Sequence, residues 1–152
     1  MTKVDELAKL IEAETKLAES LCDVMMRKQQ AIVKFDGDAL ALLTAREVEL
    51  MGPLGELEAE RARRAAELSA SVSPRKGKAA GPVTLRQLAR LLGAPDGTRI
   101  SAFGAQLKRA VQTIVETNEQ NRVLLHHSLQ FVKETIRIVT DGHKRQLVDQ
   151  RM

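Results

Sequence analysis

The 152 residues are 43% hydrophobic but only 2% aromatic, with three Phe and neither Trp nor Tyr, which suits one domain with a modest aliphatic core. A single cysteine, Cys22, excludes an internal disulfide; no zinc-ligand spacing is present, and no stretch approaches the ~20 apolar residues of a membrane span. The net charge of +4 conceals an asymmetry: residues 1–60 hold 7 Lys/Arg against 13 Asp/Glu, and residues 61–152 hold 17 against 7.

Ala, Leu, Glu, Lys, Arg and Gln fill most positions, and β-branched clusters bounded by turn signals are scarce, so the fold class is all-α. The opening MTKVDELAKL carries acids and lacks the apolar core of a signal peptide, so a cytoplasmic location without direct membrane insertion is expected. An acidic hairpin lying beside a basic helix accounts for the charge asymmetry, because the basic residues are spread out and no aromatics accompany them.

The first segment runs from Thr2 to Phe35. Val4, Leu7, Ile11, Glu14, Ala18, Leu21, Met25, Lys28, Ile32 and Phe35 step in alternating threes and fours, the mark of a long helix packed along its whole length. Asp36-Gly37-Asp38 breaks the pattern: Gly37 can reverse the chain, and Asp36 or Asp38 can cap the next helix. The second helix shows Leu40, Leu43, Glu47, Leu50, Leu54, Leu57, Arg61, Ala65 and Leu68, with a kink or break expected at Gly52-Pro53. Residues 1–68 thus form a helical hairpin. Residues 69–82 (SASVSPRKGKAAGP) read as a flexible linker. A short helix over 83–93 starts with Thr84 as N-cap and ends at Gly93-Ala94-Pro95. A long helix then spans 98–140, stopped by Asp141-Gly142, with 141–152 as a basic tail. The expected whole is one domain over 1–152: an antiparallel bundle of three long helices plus one short connecting helix, with coiled-coil-like packing.

The last helix is the most informative element. Projected at 100° per residue, Ile100, Phe103, Leu107, Val111 and Ile114 fall within roughly 80°, whereas Leu124, Leu125, Leu129, Phe131, Val132, Ile136, Ile138 and Val139 spread over roughly 180°. A hairpin partner covers only the narrow arc, so the wider one must meet something else. Asn118, Asn121, Ser128 and Thr135 interrupt it, either as satisfied core polar groups or as a register code for an amphipathic helix from a partner or a second copy.

Asn118-Glu119-Gln120-Asn121-Arg122-Val123-Leu124-Leu125, followed by His127-Ser128-Leu129 and an apolar run to Val139, resembles the N-x-x-N-x-x-L-L helix of FlgN-type chaperones. Leu7, Leu10, Ile11 and Glu14, then Lys28 and Ile32-Val33, then Asp36, Leu40 and Leu43 are similar too. Leu57-Glu58 with Arg61, and Thr84-Leu85 with Leu88, stand in family order. The resemblance implies an export chaperone of the flagellar type III secretion system. Such a protein binds hook–filament junction (hook-associated) proteins in the cytoplasm, keeps their terminal helices from associating early, and delivers them to the export gate. It places substrate binding on the C-terminal helical region, here Asn118 to Val139, and so makes Asn118, Asn121, Leu124, Leu125, Ser128, Phe131, Val132, Ile136 and Val139 the expected partner-binding residues. It also implies contact of the tail with the export gate.

Two other readings compete. Thr84–Gly93 looks like the first helix and turn of a DNA-binding helix-turn-helix, with Arg99, Gln106, Lys108 and Arg109 on a recognition helix. Against it, Pro95-Asp96-Gly97 lengthens the turn, and the next helix continues with an unbroken buried face. A coiled-coil homodimeric scaffold shares the long helices and differs only in partner. An enzyme is not expected, nor any cofactor, metal or small-molecule substrate. His126 and His127 point about 100° apart, His143 sits in the tail, Cys22 has no His or Asn arrangement around it, and no glycine-rich phosphate loop is present.

Overall fold

The computed structural model describes residues 1–73 and 82–151. It is an all-α bundle of four helices: α1 (Lys3–Val33), α2 (Gly37–Val72), α3 (Leu85–Leu92) and α4 (Asp96–Arg151). The expected linker falls partly on α2, which stays helical to Val72, and partly on 74–81, outside the described residues.

Capping explains where three helices start. The Thr2 hydroxyl accepts the Asp5 amide at 3.1 Å while the Asp5 carboxylate accepts the Thr2 amide at 3.0 Å, and Thr84 and Gln87 repeat this reciprocal box at α3. Asp36 caps α2 through the Ala39 amide. Gly37 is not the residue that reverses the chain; it is already the first of α2. Phe35 turns it, at φ 54°, and the Asp36 amide donates to the Ala31 carbonyl at 2.9 Å to close the end of α1. A bulky residue in this left-handed region is strained, and glycine would relieve it.

The seam between α1 and α2 is antiparallel. Its two polar interruptions on each helix pair with one another: Glu14 with Arg61, at 2.6 Å, and Lys28 with Glu47. A two-heptad advance along α1, from Glu14 to Lys28, is matched by a two-heptad retreat along α2, from Arg61 to Glu47. The hydrophobic and ionic registers therefore coincide. Buried opposite charges of this kind discriminate against slipped pairings, since a shift would strand the Glu14 carboxylate, which is only 5% exposed.

Pro53 neither ends nor divides α2, which continues as one helix through it. The ring lies on the solvent side with Gly52 and Gly55, where the carbonyl of Glu49, deprived of its amide partner, can take water. The stop expected at Asp141-Gly142 is also absent, and α4 runs to Arg151. Gly142 keeps an ordinary helical φ inside α4, so it costs about 1 kcal/mol relative to alanine without terminating anything.

The helix α4 rises parallel to α1. Arg99 pairs with Asp5, the Cys22 thiol donates to the Ala110 carbonyl, Asn121 reaches Met25, and the Phe131 ring faces Phe35. The Arg99 guanidinium, then the Thr2 hydroxyl and amide, hold the Asp5 carboxyl well below the usual carboxylate range. Among the described residues α2 and α4 have no Cα atoms within 8 Å of each other, so α1 stands between them and α3 bridges them at one end.

That end is the best packed. Val4, Leu7, Ala8 and Ile11 meet Ala65, Leu68, Leu88, Ile100 and Leu107, with Val83, Leu85, Leu92 and Phe103 around them. Gly97 permits the α3–α4 corner, because a Cβ there would lie 2.1 Å from the Ala89 carbonyl oxygen. Further along, the core is a smaller cluster of Leu21, Val24, Met25 and Leu50, to which α4 adds the partly buried Ile114.

Candidate functional site

At 1.5 Å per residue α1 is ~46 Å long and α4 ~84 Å, and the two start level. Consequently α4 outruns the hairpin. Its α1-facing stripe passes from Leu107, Ala110, Thr117 and Asn121, all buried, to half-buried Leu124 and Ser128, and then to exposed residues throughout 129–151. The crossing point is Phe131, whose ring centroid lies 6.0 Å from that of Phe35 at the hairpin tip. Beyond it about 20 residues, ~30 Å of helix, have no cover.

Along this gradient the nine expected partner-binding residues take different positions. Asn121 is buried: its amide donates to the Met25 carbonyl at 2.8 Å, while its Oδ1 finds no partner among the described residues. It therefore sets the register of α4 against α1 at the cost of an orphaned acceptor. Leu124 and Ser128 are half-buried beside it, and Asn118 is exposed one turn earlier. Leu125 and Val132 are about two-fifths exposed; Phe131, Ile136 and Val139 are about three-fifths exposed. Val132, Ile136 and Val139 continue the line of Leu107, Ile114 and Asn121 around the helix, so the face that packs on α1 lower down is the one left uncovered above. Thr135 takes no part in register, because its hydroxyl donates to the Phe131 carbonyl of its own helix at 2.9 Å.

Other residues join this surface. Leu129 and Ile138 are exposed on the same stretch, and Leu147 extends it into the region expected to be a non-helical tail. The signal for Leu147 lay in spacing, since it follows Ile136 by three turns and falls on the same face. Val33 and Phe35 contribute from the hairpin tip, 61% and 58% exposed. Nothing in the heptad pattern could single out Phe35, which reads there as the last core position of α1; only its left-handed backbone lifts the ring toward α4.

The remaining chemistry is sparse. Cys22 is a buried thiol between α1 and α4, and desolvation, then the Glu19 carboxylate, push its pKa up, which disfavours the thiolate. His126, His127 and His143 are exposed. Among the described residues no group of three His, Cys, Asp or Glu side chains is placed to hold a metal ion, and no helix is both long and apolar enough to cross a membrane. Arg99, first of the phosphate contacts in the helix-turn-helix reading, is engaged by Asp5, and Ile100 and Leu107 bury the same helix in the core.

Comparison with known proteins agrees with this architecture. No curated protein and no solved structure matches the chain. A family model described as "FlgN protein", however, matches residues 1–148, nearly the whole length and all four helices. With the long paired helices, the short connecting helix and the overrunning last helix covered by one match, the chain belongs to the FlgN family of flagellar export chaperones.

Proposed function

We propose that this protein is a cytoplasmic chaperone of flagellar type III export that binds hook–filament junction proteins through the upper part of α4. The observation that carries the reading is the continuous apolar stripe from Leu125 to Val139, in line with the α1-packing face yet left without a covering helix. A water-exposed stripe of this length is a docking surface for an amphipathic helix, which would extend the α1–α4 seam beyond the hairpin tip. The tenant is a terminal helix of the export substrate. Holding that helix would mask the surface by which junction proteins associate, and release at the export gate would restore it. Any part of α4 beyond the docked helix is left to meet the gate.

The test is complex formation between the full chain and the terminal segments of hook–filament junction proteins from the same organism. A 1:1 complex that is lost when α4 is cut after Val132 supports the reading; undiminished binding by the truncated chain refutes it. A second copy could cover the same stripe in the unloaded protein. The reading then expects substrate to displace it, and a dimer that persists at saturating substrate would favour the scaffold instead.

A further inference from the structure

The apolar stripe has one charged edge. From Arg122 every eleventh residue of α4 is basic, giving Lys133 and Lys144, and Arg151 comes one heptad later. Eleven residues are three turns with a drift of roughly 20°, and seven residues drift back by a similar amount, so the four cations form one row. The row borders Leu129, Ile136 and Leu147, roughly 90° around from the middle of the stripe. Glu134, Asp141 and Arg145 lie on the far side of the helix, and Asp149 and Gly142 lie on the opposite shoulder. Arg122 is paired with Glu119 of its own helix, but among the described residues Lys133, Lys144 and Arg151 have no carboxylate within 4.0 Å.

Elsewhere in the molecule four cations reach a carboxylate across a helix seam. Arg61 meets Glu14, Arg64 meets Glu6, Lys28 meets Glu47, and Arg99 of α4 meets Asp5 of α1. On the covered part of α4, Arg99 finds a carboxylate on α1, while Arg109 lines the same seam beside Glu19 and Asp23 with no ion pair among the described residues.

We propose that the helix received by α4 carries a row of carboxylates along one flank of its apolar face, placed against Lys133 and Lys144. This rests on the preceding reading, that the stripe takes a helix, and adds the charge and orientation of that helix. Apolar burial alone would accept many amphipathic segments in either direction; the basic edge selects among them and sets which flank faces which way. A bilayer surface fits less well, because a helix lying in it places cations on both shoulders of the apolar face, and here one shoulder carries none.

The experiment uses two synthetic amphipathic helical peptides with the same leucine stripe, one with glutamates along one flank and one with lysines. Binding to the full chain is measured by fluorescence anisotropy at 50 and 300 mM salt. The acidic peptide is expected to bind at least tenfold more tightly at 50 mM, with the advantage shrinking at 300 mM. The double variant Lys133→Glu/Lys144→Glu, both positions being exposed, should retain its helicity and reverse the preference. Equal affinity for the two peptides would overturn the acidic flank while leaving the apolar docking intact. Failure of both to bind would overturn the two together. Tight binding to vesicles of phosphatidylserine and phosphatidylcholine, lost in the double variant and without discrimination between the peptides, would assign the basic edge to lipid instead and overturn the proposal.

Discussion

Replacing Phe131 and Ile136 together by alanine separates a docking surface from a core. Both side chains are about three-fifths exposed, 63% and 59%, so their removal takes little apolar area out of the folded monomer. Alanine also has the higher helix propensity by up to ~0.5 kcal/mol at each site, so the double variant should melt within a degree or two of the parent. Its effect on binding should be large. Fully burying a Phe or Ile side chain contributes ~1.5–3 kcal/mol, and the three-fifths still open on each amounts to roughly 2–3 kcal/mol for the pair. That corresponds to a loss of ~30- to 150-fold in affinity for the substrate helix. The control is Leu21→Ala, 3% exposed in the α1–α2 seam, which should cost ~2–4 kcal/mol of stability and leave affinity unchanged once folded protein is compared. Thermal melts followed by circular dichroism, paired with calorimetric titration of the terminal segment, give both numbers. A melting-point drop in the double variant as large as that of Leu21→Ala would place these residues inside the monomer and refute the reasoning.

Further substitutions probe the scaffold that presents this surface. Gly97→Ala should destabilise by ~1–3 kcal/mol, because its Cβ would strike the Ala89 carbonyl, whereas Gly142→Ala, with nothing within 4 Å of the added carbon, should stabilise by up to ~1 kcal/mol; equal effects in urea denaturation would contradict the α3–α4 corner. Arg61→Ala should cost ~3 kcal/mol or more by stranding the buried Glu14 carboxylate, and the double replacement Glu14→Leu/Arg61→Leu should recover most of that loss in the same assay. Asn121→Leu removes an acceptor that has no partner, so the melting point should hold or rise, while methyl NMR lines along the α1–α4 seam broaden as the register loosens; a loss of more than ~1 kcal/mol would show that the amide is fully satisfied.

Much of this molecule is legible one residue at a time. The helices of the hairpin follow from apolar steps of three and four, and the starts of α2 and α3 from Asp36 and Thr84, because caps and stripes are local and carry their chemistry in a few neighbouring positions. The widening of apolar surface after Asn121 is equally plain, since projecting one helix needs no knowledge of the others.

Local signals misled where a residue's cost is small or its neighbours decide the outcome. Pro53 and Gly142 look like punctuation, yet each lies on a solvent-facing turn of a helix held elsewhere, and a penalty of about 1–3 kcal/mol does not end a helix that continues well on both sides. Phe35 reads as core and stands instead at the turn, in a backbone conformation that only the closing of the hairpin imposes.

Composition and periodicity by themselves determined that this chain is helical, where its hairpin pairs, and that its last helix is richer in apolar surface than one partner needs. Only the tertiary structure decided that buried Glu14 and half-buried Lys28 are ionic register marks and not breaks in the stripe, that α1 separates α2 from α4, and that α1 ends about 20 residues before α4 does. The physical reason is range. A helix and its face are written in contacts four residues apart, but whether that face is covered depends on the length and placement of another segment some hundred positions away.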